Sequence, residues 1–307
     1  MADPLFRRIA FIGIGLIGSS LARVVRRDGL AGGIVACARS AATRETALRL
    51  GLCDEATEDP AAAVAGCDLV VLCTPLGAYE DIARRIGPHL QEGCIVSDVG
   101  SVKALMDRAV KPHLPPGVHM VPGHPVAGTE NSGPESGFAE LFEGHFTVLT
   151  PSAGTDEAAV RRIEALWRAA GSMVERMDAG HHDQVLAITS HVPHVIAYTI
   201  VGTATDLEDR LRSEVIKFAA SGFRDFTRIA ASDPVMWRDI FLNNKDAVLE
   251  MLGRLTEDIA GVQRAIRDGD GATLETLFTR TREIRRGVVA AGQHIAPAPP
   301  EDRHGED

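Results

Sequence analysis

A short apolar run followed at once by three spaced glycines constrains this chain more than any other feature. Ile9-Ala10-Phe11-Ile12 leads into Gly13-Ile14-Gly15-Leu16-Ile17-Gly18, and Ser19-Ser20-Leu21-Ala22-Arg23-Val24-Val25 continues as an apolar-faced helix. In such a strand–turn–helix the first glycine permits the tight turn. The second removes the Cβ that would collide with a pyrophosphate, and the third lets the helix pack close to the sheet. The start of the helix carries backbone N–H groups with no intrahelical partner, which an anion can use. The pattern therefore predicts a dinucleotide site at Gly13, Gly15, Leu16, Ile17 and Gly18. Such a spacing alone is a weak signal; its place after the first strand and at the opening of a helix gives it weight. Arg7-Arg8 before an apolar run to Ala22 also has the outline of a secretory signal. Glycines in phosphate-loop register, and an amphipathic helix continuing through Arg23, Arg26 and Arg27 with no small-residue cleavage site, favour a folded, cytoplasmic protein instead.

At 307 residues and 45% hydrophobic content there is enough chain for one large or two medium domains. No uninterrupted apolar stretch of about 18 residues marks a membrane span, so no membrane partner is expected. A formal charge of −10 argues against a nucleic-acid partner and leaves room for a small anion met by local arginines. Cys37, Cys53, Cys67, Cys73 and Cys94 form no C-x-x-C pair and read as buried reduced thiols.

The first half alternates β-like and helical runs, the pattern of a parallel α/β sheet. Strands are expected at Ile34–Ala38, Asp68–Cys73, Cys94–Ser97, Val118–Val121 and Phe146–Leu149, with an edge strand at Ser172–Arg176. Helices are expected at Thr43–Leu50, Tyr79–Ile86 and Glu157–Ala170, and a loop from Pro122 to about Gly144. From Ala179 strand signals vanish, and helical periodicity runs nearly to Gln293, broken near Ser221-Gly222, Ser232-Asp233-Pro234 and Asp268–Gly271. The expected architecture is a Rossmann-type doubly wound α/β domain (1–178), an all-α domain (179–293) and a disordered tail (294–307). The long apolar helices Ile188–Val201 and Ala247–Ile266 exceed what one small bundle buries, which points to a homodimer through the helical half.

Ligand-binding groups of an open α/β sheet gather at the C-terminal strand ends. Three of those ends are polar: Thr74-Pro75, Asp98…Ser101…Lys103 and Gly123-His124-Pro125. Ser101 reads equally as the N-cap of a helix beginning there. His124, held between glycine and proline, reads as a group able to accept a hydroxyl proton near neutral pH. In the helical half His191 and His194 lie three residues apart on roughly one face; without a third ligand at suitable spacing no metal is expected. His181-His182-Asp183 reads as a helix start capped by local polar groups. Arg224 and Arg228, one turn apart, suit either a dicarboxylate or ion pairs with Asp225 and Asp239.

Together these pieces resemble the prephenate/arogenate dehydrogenase family of tyrosine biosynthesis. The resemblance rests on Gly13–Gly18, Asp98-Val99-Gly100-Ser101-Val102-Lys103, Gly123-His124-Pro125-Val126-Ala127-Gly128-Thr129-Glu130, Ser190-His191-Val192-Pro193-His194 and Phe223 through Asp239. It spans nearly the whole chain, in the expected order. It implies NAD(P)-dependent oxidation of a 4-hydroxycyclohexadienyl ring, coupled to decarboxylation. His124 would accept a hydrogen bond from the ring hydroxyl, and Ser101 would orient His124 and that hydroxyl. Arg228 would bind a substrate carboxylate, with His194, Glu130 and Trp237 shaping the pocket.

One departure bears on the cofactor. The family's NAD-using members commonly carry an acidic residue at the end of the second strand, for the ribose 2′-hydroxyl. Here the place reads Cys37-Ala38-Arg39-Ser40. Arg39 and Ser40 suit a 2′-phosphate, which tilts the expectation from NAD toward NADP, although an arginine there can also stack on adenine. Two other readings stay open: another Rossmann oxidoreductase with a helical second domain, of the β-hydroxyacid dehydrogenase or imine reductase type, and a non-catalytic NAD(P)-binding sensor. The first leaves the Gly-His-Pro segment without a task, and the second leaves His124 and Arg228 without one.

Overall fold

Ile9–Ile12, Ile34–Cys37 and Leu69–Leu72 contain no charged residue and are buried at every position, as strands are when helices cover both sheet faces. A computed structural model describes residues 3–129, 131–205 and 221–290. Six parallel strands form the main sheet: β1 (Ile9–Ile12), β2 (Ile34–Cys37), β3 (Glu55–Thr57), β4 (Leu69–Leu72), β5 (Ile95–Asp98) and β6 (His119–Met120). Their order is β3-β2-β1-β4-β5-β6, that of two mononucleotide-binding halves meeting at β1 and β4. The helices between them are α1 (Leu16–Arg27), α2 (Ala41–Arg49), α3 (Pro60–Val64) and α4 (Tyr79–Ile86).

Successive side chains of a strand point to opposite faces, and β1 accordingly feeds two cores. Ile9 and Phe11 pack with Leu21, Val25 and Trp167 on one side. Ala10 and Ile12 pack with Leu72, Tyr79 and Ile86 on the other. All five cysteines are free, four of them buried and Cys73 partly so.

Two stretches differ from expectation. β3 and α3 went unread, because a three-residue edge strand with an exposed Glu55 carries no apolar run. Gly123–Pro125 is a strand and not loop. It is β7, antiparallel to β8 (Phe146–Leu149), with His124 opposite Val148. β8 in turn pairs in parallel with the edge strand β9 (Met173–Arg176), which follows α5 (Glu157–Ala169). The partner of β7 is supplied more than twenty residues downstream, so no local pattern announces it.

Asp178 caps α6 (Ala179–Leu186) by accepting the Gly180 and His181 N–H groups. A π-helical turn, Ala187–His191, joins it to α7 (Val192–Thr205) just ahead of Pro193, which has no N–H to offer the helix. Then follow α8 (Ser221–Thr227), α9 (Pro234–Asn243), α10 (Lys245–Asp268) and α11 (Gly271–Ala290). Asp233 caps α9 through the Met236 N–H, with Pro234 in the first turn. Two compact units result, Met1–Val248 and Leu249–Asp307. By length and composition Ala179–Thr205 is apolar enough to cross a membrane, but it carries the buried polar residues His182, Asp183 and His191, each hydrogen-bonded within the first unit.

β5 and β7 are tied by a fully buried ion pair. Lys103 Nζ donates to Asp98 Oδ1 at 2.6 Å, to Asp98 Oδ2, and to the Gly123 carbonyl at 2.6 Å. Asp98 also accepts the Gly123 N–H at 3.1 Å, the Gly100 N–H at 2.9 Å and the Tyr79 hydroxyl at 3.1 Å. All three ammonium protons and both carboxylate oxygens are therefore satisfied, the condition under which a buried pair is tolerated. Lys103→Met leaves the Asp98 charge buried without a counter-ion and is expected to cost about 3–5 kcal/mol in urea denaturation, with Asp98→Asn in the same chain recovering part of the loss. A single-variant loss under about 1 kcal/mol would show that the pair does not hold the two strands together.

Candidate active site

The glycine turn lies where the strand order reverses. Gly13 has φ +98°, and a Cβ there would stand 2.6 Å from the Cys73 carbonyl oxygen. A Cβ at Gly18 would stand 2.6 Å from the Gly13 carbonyl oxygen, so helix and turn are in contact. At Gly15 nothing lies within 4 Å of the added atom. No side chain caps α1 and its first turn holds no acidic residue, which leaves its N–H groups for an anion. The buried Thr74 hydroxyl oxygen, at the end of β4, has no hydrogen-bond partner among the described residues. The open space at Gly15, the uncapped helix start and this hydroxyl fit a nicotinamide dinucleotide.

His124, at 7% exposure, stands on β7 above the Asp98–Lys103 pair. Its Nδ1 is 2.8 Å from His182 Nε2, and His182 Nδ1 is 2.8 Å from Asp183 Oδ1. Asp183 also accepts the Lys103 N–H at 2.7 Å and the Ala104 N–H at 3.0 Å. The helix after β5 is therefore capped from α6, and Ser101 is not its N-cap. Among the described residues the Ser101 side chain makes no hydrogen bond, and the partner of His124 is His182. Burial, then His182, Lys103 and His191, pull the His124 imidazole well below its ordinary value. His182 is also lowered, chiefly by burial. Both rings are neutral at physiological pH.

A second group adjoins this one through Asn244, whose side-chain amide donates to the Asp183 carbonyl at 2.8 Å and lies 3.0 Å from His191 Nδ1. With its Nδ1 accepting, His191 carries its proton on Nε2, and burial lowers its pKa to about 4. Neither that Nε2–H nor the buried indole N–H of Trp237 has a partner among the described residues. The two rings lie edge to face, with centroids 6.1 Å apart, and His194 stacks on Trp237 with centroids 3.5 Å apart. His194 Nδ1 is 2.9 Å from the Ser190 carbonyl, and the Arg228 charge helps lower its pKa behind burial. Arg228 opens a short 3₁₀ turn after α8. Buried N–H donors beside an arginine and two aromatic faces suit an anionic, partly unsaturated ring. Asp239 is held by Arg238 at 2.7 Å and the Gly77 N–H at 3.1 Å.

Of the remaining positions read from the sequence, Glu130 lies outside the described residues. Pro75 is exposed beside Thr74. Ser40 caps α2 through the Thr43 N–H, and Arg39 is exposed with no ion pair among the described residues. Arg44 donates to the Ala38 and Arg39 carbonyls, both at 2.8 Å, and so shapes that turn. His182, Asp183, His191 and Asn244 were not assigned from sequence. The only local hint was a histidine beside an aspartate, which a helix start explains equally well. No group of three metal-ligating side chains occurs among the described residues.

The glycines separate stability from binding. Gly13→Ala combines a strained φ with a backbone collision and is expected to cost about 2 kcal/mol or more. Gly15→Ala, entering open space, should change stability by no more than about 1 kcal/mol while abolishing dinucleotide binding in a fluorescence titration. Unimpaired binding by Gly15→Ala would remove the pyrophosphate from this turn.

The family model described as prephenate dehydrogenase, nucleotide-binding domain matches residues 21–176, and the one described as prephenate dehydrogenase, dimerization domain matches residues 178–280. A cyclohexadienyl dehydrogenase of Zymomonas mobilis is 41% identical over 281 residues, 92% of this chain and 96% of its own. The crystal structure of the A. aeolicus prephenate dehydrogenase in complex with hydroxyphenyl propionate and NAD+ superposes with a TM-score of 0.84 at 32% identity, covering 94% of this chain and 99% of that one. Synechocystis arogenate dehydrogenase gives a TM-score of 0.77 at 27% identity over 91% of this chain and 99% of its own. Two domain models in tandem, a relative matched almost end to end and the glycine turn with its facing histidines agree: this chain belongs to the prephenate dehydrogenase family.

Proposed function

We propose that the chain catalyses the NAD(P)-dependent oxidative decarboxylation of prephenate, arogenate or both, giving 4-hydroxyphenylpyruvate or tyrosine. The observation that carries the reading is His124, a buried neutral imidazole tied through Gly123 to the end of β5, in the sheet whose β1 runs into the open glycine turn. A bound nicotinamide would supply the acceptor for the hydride on C4 of the ring. His124 accepts the hydrogen bond of the C4 hydroxyl and draws its proton away as the hydride departs, which raises the donating power of C4. Loss of CO₂ then sends its electron pair into the ring, and the phenolic oxygen recovers the proton. Aromatisation makes the whole step downhill, so the protein needs to position and polarise. Arg228 binds a substrate carboxylate. His194 and Trp237 shape the pocket, the family resemblance adds Glu130 to them, and Ser101, with a hydroxyl that makes no hydrogen bond among the described residues, meets the same substrate oxygen.

Gly13, Gly15, Leu16, Ile17, Gly18, Thr74 and Pro75 hold the dinucleotide, and Arg39 with Ser40 takes a 2′-phosphate, so that NADP is used at least as well as NAD. The mechanism calls on no metal. Residues 1–178 form the dinucleotide-binding part and 179–293 the helical part. The exposed apolar side chains Ile188, Ile200 and Leu242 of the first unit, and Ile259, Ile266, Phe278 and Ile284 of the second, support a homodimer. A reading as a cytoplasmic biosynthetic enzyme fits the relatives.

Purified protein supplied with prephenate or arogenate, each with NAD or NADP, should form reduced cofactor and CO₂; no turnover in any combination would sink the reading. His124→Asn should lower kcat by about 10²–10⁴-fold with little change in KM. Because protonation removes the acceptor, kcat/KM should fall with acidification, and the lowered pKa puts that fall below pH 6.5. A near-normal kcat for His124→Asn would exclude it as the base.

Arg39→Ala should weaken NADP by about 1.5–3 kcal/mol, as for a hydrogen bond to a charged group, and leave NAD nearly unchanged. Equal losses for both cofactors would mean that Arg39 stacks on adenine. A wild-type enzyme that turns over with NAD and ignores NADP would overturn the phosphate assignment.

A further inference from the structure

We infer that Asp183 and His182 act as a relay that places the lone pair of His124 on Nε2, making them positioning residues for the reaction; the inference rests on the reading of His124 as the base.

Hydrogen-bond parity fixes the protons of both rings. Asp183 Oδ1 and Oδ2 each accept a backbone N–H, from Lys103 and Ala104, and a backbone N–H can only donate. The carboxylate is thereby committed to accepting, and the third bond it makes, at 2.8 Å to His182 Nδ1, must carry the proton on that nitrogen. A neutral imidazole has one N–H, so His182 Nε2 holds a lone pair. It lies 2.8 Å from His124 Nδ1. That contact needs one proton, and His124 alone can supply it. His124 Nδ1 is therefore N–H, and Nε2 keeps the lone pair that a substrate hydroxyl requires. The opposite assignment would set the His182 Nδ1 lone pair against a carboxylate and leave His124 Nε2 protonated, a donor in place of an acceptor.

The surroundings keep the chain in this state. His182 is fully buried, and the charged or titratable groups facing it are Asp183, Lys103 and Asp98, with Lys103 and Asp98 neutralising one another. His124 faces His182, Lys103 and His191, the last held neutral. Capping the helix at Ala104 requires Asp183 alone. It gives no reason for a buried histidine between that cap and His124. When the hydroxyl proton moves onto Nε2, the Nδ1–H bond to His182 becomes charge-assisted, with a carboxylate two hydrogen bonds away to stabilise the imidazolium. This is the division of labour between carboxylate, histidine and reacting group in hydrolase triads, extended by one ring.

The first test needs no substitution. NMR of wild-type enzyme labelled with ¹⁵N-histidine should show His124 protonated on Nδ1 and unprotonated on Nε2, and His182 the same; a His124 ring protonated on Nε2 overturns the relay. Kinetics supply the second. His182→Leu should reduce kcat at least about 10-fold while KM for substrate and cofactor stay within about twofold, since the lost element is a tautomer and not a binding contact. A His182→Leu enzyme with wild-type kcat, beside an inactive His124→Asn, would discard the relay and leave the base standing. Wild-type kcat in His124→Asn would instead discard the base, and the relay with it.

Discussion

Everything at the site is referred to one buried contact, the Asp98–Lys103 pair. A lysine with no exposed surface is costly unless its three donors are met. Here the third donor reaches the Gly123 carbonyl, while Asp98 takes the Gly123 N–H. Both backbone polar groups of Gly123 are thus fixed by the charges of Asp98 and Lys103, and the next residue is His124. The same turn of chain presents the Lys103 and Ala104 N–H groups to Asp183. One short segment therefore fixes both the backbone beside His124 and the carboxylate that holds His182. Burial lowers the lysine while Asp98 opposes it, and the pair is a net-neutral block that leaves the imidazoles above it uncharged.

Dryness gives the arrangement its chemical consequence. Three buried histidines, His124, His182 and His191, all have lowered pKa values, with burial as the leading cause. In a low-dielectric site an unpaired N–H or hydroxyl is expensive, and three of the six buried side-chain polar atoms that lack a partner among the described residues belong to this site: the Thr74 hydroxyl, the His191 Nε2–H and the Trp237 indole N–H. They are distributed between the strand end and the helical wall. Sites built to be completed by a ligand keep such groups, because the ligand repays the desolvation that folding has already incurred.

Much of this could be read from the chain before any coordinates. The glycine turn, the doubly buried strands and the polar strand ends carry short-range signatures, since each depends on residues within about ten positions. What escaped depends on distance along the chain. His124 looked like a loop residue because β7 finds its partner only at β8, and Ser101 looked like a cap because the true cap, Asp183, is eighty positions away. His182 and Asp183 satisfied a local rule as a helix start, and a satisfied local rule hides a long-range task. The small edge strand β3 was missed for a different reason: with Glu55 exposed it has no periodicity to detect.

The helical segment shows why such tasks concentrate where regular structure yields. Ala179–Thr205 is among the most apolar stretches of the chain, yet it carries His182, Asp183, His191 and His194, all turned to polar work. Regular α-geometry would place His191 and His194 nearly on one face. The π turn Ala187–His191 widens the helix at that point, and Pro193 withholds the N–H that would restore the regular ladder. His191 is thereby buried against Asn244 and Trp237, while His194 donates to the Ser190 carbonyl and lies flat on the same indole. An apolar helix with one irregular turn can bring two histidines onto a single tryptophan. His191 meets the indole edge to face and His194 lies flat on it, so one aromatic ring joins an uncharged donor to an imidazole that feels the Arg228 charge.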